Sequence, residues 1–170
     1  LGIVELTIAL HRVFDSPHDT ILWDTGHQTY VHKILTGRRK EFENLRLPGG
    51  ISGYPSREES PHDWIENSHA STVLSYAHGL ASAYSLTDDE RRVVAVIGDG
   101  SLTGGMAFEG LNHTGHIQSD MIVVLNDNEM SISANVGGMS AHLSKIMTGQ
   151  VMLKIKQEVD QLLLAVPGIG

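Results

Sequence analysis

The sequence predicts an α/β fold, a parallel sheet flanked by helices, and three observations carry that prediction. Val93-Val94-Ala95-Val96-Ile97 and Met121-Ile122-Val123-Val124-Leu125 are apolar without alternation, as in parallel strands covered on both faces. The stretch between them, residues 103–115, suits a crossover helix, which makes a βαβ unit. Both strands run into polar segments, Gly98-Asp99-Gly100-Ser101 and Asn126-Asp127-Asn128-Glu129-Met130.

The other elements follow in chain order. Ile3, Leu6, Leu10 and Val13 recur at helical spacing and predict a first helix that stops before Ser16-Pro17. Thr20-Ile21-Leu22-Trp23 is a short strand, followed by Asp24-Thr25-Gly26-His27. Residues 28–36 and 38–45 read as helical. A long polar stretch from Pro48 to about residue 66 has no predicted element, and such a loop in a compact domain is usually functional or mobile. Ala70, Val73, Leu74, Ala77, Leu80, Ala81 and Tyr84 trace one face of a helix, with Ser71, Ser75 and Gly79 small enough for close packing on a neighbour. Residues 151–166 read as an amphipathic helix stopped by Pro167-Gly168.

Composition narrows the function. Twelve Lys and Arg against 20 Asp and Glu give a net charge of −8, which argues against a broad nucleic-acid or anionic-membrane surface. The absence of cysteine removes disulfides, thiolate metal sites and a cysteine nucleophile. No apolar run approaches the roughly 20 residues that span a bilayer, and no signal peptide is visible, so a cytoplasmic protein is expected. The chain opens Leu1-Gly2-Ile3 without Met and reads as an interior piece of something longer.

The two polar strand ends carry the chemistry. A lone Gly-Asp-Gly after a strand is most often a turn. Here Asn128 also follows a strand, and ligands of open parallel sheets sit beyond the carboxyl ends of their strands. Asp99, the Asn128 side chain and a backbone carbonyl just after it offer half an oxygen shell for Mg²⁺, which phosphate oxygens and water would complete. Gly98 and Gly100 allow a diphosphate close to the backbone. Gly-Asp-Gly followed at this distance by Asn is the pattern of thiamine diphosphate enzymes.

Longer segments make the likeness specific. Val4-Glu5-Leu6-Thr7, Trp23-Asp24-Thr25-Gly26-His27-Gln28, His32-Lys33-Ile34-Leu35-Thr36-Gly37-Arg38, Gly98 to Gly105 and Asn126-Asp127-Asn128-Glu129-Met130-Ser131-Ile132-Ser133 occur in that order. Over essentially its whole length the chain resembles the 1-deoxy-D-xylulose-5-phosphate synthase family. The resemblance implies a thiamine diphosphate-binding domain of the diphosphate-site type, partial over residues 1–170. It also implies decarboxylation of pyruvate with transfer of the two-carbon unit to glyceraldehyde 3-phosphate, feeding isoprenoid and thiamine precursors. Asp99, Asn128 and the Met130 carbonyl match the family's Mg²⁺ ligands. Gly100, Ser101 and Asn128 match cofactor contacts. His27 and His69 match active-site histidines, with Ser68 and Ala70 flanking His69 on a cofactor-contacting turn. A homodimer is a further expectation of the resemblance.

Departures are Asn67-Ser68-His69-Ala70, where the family often has Thr-Gly-His-Ser, and Ala134 in place of an expected Pro. The family's upstream histidine motif, its pyrimidine-binding domain with the activating glutamate, and its C-terminal domain lie outside this chain, so the chain alone is expected not to turn over. Elsewhere a structural or solvated role is favoured: for His11, His18, His62, His78, His113, His116 and His142, for His32 at the surface, and for Lys33, Arg38, Arg39 and Lys40 as a solvated helix face. Trp64 either anchors the long loop or lines a pocket. Residues 135–138 read as a lid. Competing readings are another transketolase-like enzyme and a non-catalytic thiamine diphosphate-binding module.

Overall fold

The computed structural model describes residues 2–66, 68–127 and 138. Three parallel strands, β1 (Thr20–Trp23), β2 (Val93–Gly98) and β3 (Ile122–Asn126), form a sheet in the order β1-β2-β3. Trp23 pairs with Val96 and Gly98 with Asn126, so the chain leaves all three strands at one edge. Around the sheet lie α1 (Val4–Val13), α2 (Tyr30–Lys33), α3 (Val73–Leu86), the short α4 (Asp99–Leu102) and α5 (Gly105–Ile117).

The pleat sends alternate strand residues to opposite faces. Ile21, Trp23, Val94 and Val96 meet Leu10 of α1 in one buried cluster, with Ile3, Leu6, Phe14 and Val124 packed against it. Leu22, Val93, Ala95 and Ile97 point the other way, where α3 packs on β1 and β2 with Val73, Leu74, Ala77 and Ala81 buried. Helix α5 packs on α3 at Gly110, where a Cβ would lie 3.2 Å from the Leu74 Cβ.

The predicted α/β fold, its strands and its crossover helix all form, and several finer expectations are corrected. Val13 is 74% exposed, because α1 ends there and its buried stripe is completed by Thr7 and Leu10. β3 is the outer strand of the described sheet, so Ile122 and Val123 are exposed rather than covered on both faces. The helix predicted from Ala70 starts at Val73, and Ala70 lies exposed in the turn before it. Among the described residues a Cβ on Gly79 would meet nothing within 4 Å, whereas Ser71 and Ser75 lie close to Gly104 and Gly110. The segments predicted at 28–36 and 38–45 do part at Gly37, which has a left-handed φ of 96°, but they are shorter and less regular than expected: α2 runs into an irregular turn at Ile34–Arg38, and Lys40–Asn44 is a 3-10 turn. The helix expected at 151–166, the lid at 135–138 and Ala134 fall outside the described residues, Gly138 excepted.

Segment 45–66 contains no regular element, yet it is tied down by a buried polar network. The Lys33 ammonium donates to Glu59 and to the Ser52 carbonyl (2.8 Å). Arg38 forks onto Asp63 at 2.6 and 2.9 Å and reaches Glu59 at 3.3 Å. Glu59 and Asp63 also accept the Ser52 and Ser56 N–H groups, at 2.6 and 2.8 Å. Lys33 and Arg38 are therefore buried cations, not a solvated helix face; only Arg39 and Lys40 are exposed. His32 is likewise buried, 1% exposed, bonded to Asp63 at 3.0 Å on one side and His11 at 2.8 Å on the other. Its expected surface role is overturned by the helical phase of α2, which turns His32 and Lys33 inward together.

Candidate cofactor site at the carboxyl edge of the sheet

Each strand delivers one loop to this edge. β1 runs into Asp24-Thr25 and a 3-10 turn, Gly26–Gln28, that presents His27 to solvent. β2 runs into α4, which carries Asp99, Gly100 and Ser101, all half-buried. β3 runs into Asp127, with Asn128 the next residue; Asn128 and Met130 lie outside the described residues. The register of Gly98 on Asn126 brings the Asp99 and Asp127 ends of neighbouring strands side by side. Among the described residues, a Cβ on Gly98 would meet only the Asn126 carbonyl, at 3.9 Å.

Asp24 holds a fourth segment at the same edge. Its fully buried carboxylate accepts the backbone N–H of Ser71 at 2.9 Å, Thr72 at 3.0 Å and Val73 at 3.1 Å. The Thr72 and Val73 groups are orphan donors of the α3 N-terminus, where a negative charge is also favoured by the helix dipole, and Ser71 lies just before it. The contact draws the exposed turn Ser68-His69-Ala70 to the end of β1, so His27 and His69 are carried by two segments joined through one carboxylate. Ser71 then donates its hydroxyl to the Ser101 carbonyl at 2.6 Å, linking the His69 turn to the Gly100–Ser101 loop. Across the strand ends, Gln28 donates to the Asp24 carbonyl and accepts from Asn126 at 3.4 Å.

Strain collects in the same place. Thr25 has φ 62° and ψ 136°, an outlier for a β-branched residue, and Ser71 has φ 70°. Each costs on the order of 1–3 kcal/mol and persists because its surroundings over-determine it. The Thr25 hydroxyl bonds the Asp24 carbonyl at 2.6 Å, and Ser71 is held at both its N–H and its hydroxyl. Tyr54, from segment 45–66, lies on Gly26, where a Cβ would come within 1.9 Å of its ring.

Trp64 anchors its loop: it packs edge-on against Tyr84 and under Arg91. The Tyr84 hydroxyl bonds Thr20, the first residue of β1, so this contact lies at the end of the strand opposite His27. His113 stacks edge-on against His78, which bonds Ser119 at 2.7 Å; both keep structural roles. Among the described residues no three His, Asp or Glu side chains converge as a metal cluster. Two of the three predicted Mg²⁺ ligands lie outside those residues. Reading by motif passed over Asp24, Gln28, Tyr54 and Ser71. Only Asp24 left a signal, as a carboxylate directly after a buried strand.

A domain of parallel strands whose carboxyl ends carry an acidic Gly-Asp-Gly turn and histidine loops belongs to the α/β class that takes its ligand at that edge. A family model described as 1-deoxy-D-xylulose-5-phosphate synthase matches residues 1–169. Proteins named 1-deoxy-D-xylulose-5-phosphate synthase from Desulfitobacterium hafniense (strain DSM 10664 / DCB-2) and Carboxydothermus hydrogenoformans are 59% and 58% identical over 170 residues. 1-Deoxy-D-xylulose-5-phosphate synthase 2 of Geobacter sulfurreducens is 56% identical over the same length. The alignments cover 100% of this chain and 27% of each relative. The chain belongs to the 1-deoxy-D-xylulose-5-phosphate synthase family.

Proposed function

We propose that the chain forms the diphosphate- and Mg²⁺-holding part of a 1-deoxy-D-xylulose-5-phosphate synthase, a thiamine diphosphate-dependent transferase. The whole protein would decarboxylate pyruvate and pass the two-carbon unit to glyceraldehyde 3-phosphate. The observation that carries the reading is the gathering of the His27, His69 and Asp99–Ser101 segments at one sheet edge by Asp24 and Ser71.

The donor set fits the group. Asp99 offers a carboxylate oxygen, and Asn128 with the Met130 carbonyl would add neutral oxygens, a combination suited to a hard cation that also binds phosphate. Gly100 and Ser101 sit in the first turn of a segment that leaves a strand, where backbone N–H groups can face a diphosphate; Ser68 and Ala70 would contact the cofactor from the adjoining turn. Bound thiamine diphosphate supplies the carbon nucleophile that this chain's side chains lack. His27 and His69, both exposed at this edge, would donate to developing negative charge or relay a proton. A homodimer and a cytoplasmic location rest on the family likeness.

The test is Asp99→Ala in the whole protein that carries this chain. Loss of Mg²⁺-dependent thiamine diphosphate binding, together with loss of product from pyruvate and glyceraldehyde 3-phosphate, is the expected outcome. Unchanged binding would remove Asp99 from the metal site. Cofactor binding without turnover by the unaltered whole protein would favour a non-catalytic module.

A further inference from the structure

We propose that Ser71 is a positioning residue that locks the turn carrying His69 to the loop carrying Gly100 and Ser101, so that the two move as one cofactor cradle. The inference rests on the functional reading above and concerns a residue outside its predicted contacts. Ser71 stands at the junction of three site segments. Its N–H donates to Asp24 Oδ1 at 2.9 Å, and its hydroxyl donates to the Ser101 carbonyl at 2.6 Å. It lies two residues after His69 and holds a left-handed φ of 70°, which a serine adopts only when its surroundings fix it.

The fit on the far side is equally close. A Cβ at Gly104 would fall 2.1 Å from the Ser71 hydroxyl and 2.6 Å from its Cβ, so the backbone after α4 comes up against this one side chain. Binding a diphosphate through backbone N–H groups requires those groups to be aimed before the ligand arrives, since ordering them on binding would subtract from affinity. Ser71 supplies that aim through the Ser101 carbonyl, and Asp24 supplies the fixed point from the end of β1.

The experiment compares Ser71→Ala and Ser71→Gly in the whole protein. Both delete the hydroxyl, but glycine relieves the left-handed φ whereas alanine does not, so the two separate the hydrogen bond from backbone strain. Amide exchange over residues 99–105 is read in the cofactor-free protein, and thiamine diphosphate binding is read at saturating Mg²⁺. We expect both variants to exchange faster over 99–105 and to bind thiamine diphosphate about tenfold more weakly, the scale of one lost hydrogen bond. Their thermal midpoints should differ from each other, glycine above alanine. Faster exchange with unchanged cofactor affinity would reduce Ser71 to a structural role and overturn the inference. So would wild-type affinity and exchange in both variants. An unaltered protein that fails to bind thiamine diphosphate would overturn the functional reading and this inference together.

Discussion

Asp63→Ala should be among the most destabilising single substitutions in segment 45–66. The Asp63 side chain is wholly buried and takes four hydrogen bonds: two from Arg38, one from His32 and one from the Ser56 N–H. Deleting it leaves the Arg38 guanidinium, only 7% exposed, facing Glu59 at 3.3 Å as its remaining carboxylate. Breaking a buried ion pair from one side costs about 3–5 kcal/mol, because the partner's charge stays out of water without compensation. The orphaned Ser56 N–H adds about 1 kcal/mol. Urea unfolding of the 170-residue polypeptide, followed by the intrinsic fluorescence of Trp23 and Trp64, should show a fall in midpoint at constant slope. The double variant Asp63→Ala/Arg38→Met should recover part of the loss, since it removes the stranded cation. A loss below about 1 kcal/mol, or a double variant less stable than the sum of the singles, would refute the reasoning.

Further outcomes follow from the same geometry. Burial, and the nearby His32 and His62, push the His11 pKa down to about 4. The unfolded imidazole takes its proton near pH 6.5, so the denatured state binds more protons between these values and stability falls as pH drops from 6.5 toward 4. His11→Gln should flatten that part of a plot of unfolding midpoint against pH. Asp63 adds a second, more acidic loss. Burial alone would raise its carboxyl, but hydrogen bonds from His32 and Arg38 hold it well below the usual carboxylate range. Its contribution is therefore full above about pH 4 and lost as pH falls further, and Asp63→Asn should remove it from an acid titration of stability. Gly26→Ala would drive a Cβ to 1.9 Å from the Tyr54 ring and 2.7 Å from its Cα, a clash that ring rotation alone does not relieve. Raised protease cleavage between residues 45 and 60 should report displacement of that strap. Tyr84→Phe removes the buried 2.8 Å bond to Thr20 and should cost about 1 kcal/mol in the same urea assay.

Much of this molecule could be read from order and spacing alone. The unalternated runs at 93–97 and 121–125 both become strands, but only β2 is covered on both faces as its lack of a polar side implies; the outer strand β3 keeps the same apolar run with Ile122 and Val123 exposed. The loops that follow β1 and β2, and the family, were legible because the motifs that mark them lie in local residue order at strand ends. Long-range pairing was not legible. Lys33, Arg38 and His32 look like surface residues in sequence, since a charged side chain is buried only when a partner distant in the chain comes to meet it. Glu59 and Asp63 do so from a stretch with no periodicity to mark it. Asp24 likewise reads as a turn residue until the turn before α3 and the helix's first residue bring their N–H groups onto it from 47 to 49 residues away. Local sequence determined which strands form and which loops follow their carboxyl ends. Tertiary structure decided which charges are buried and which two histidine segments share an anchor, because those contacts exist only once the sheet has brought distant segments to one edge.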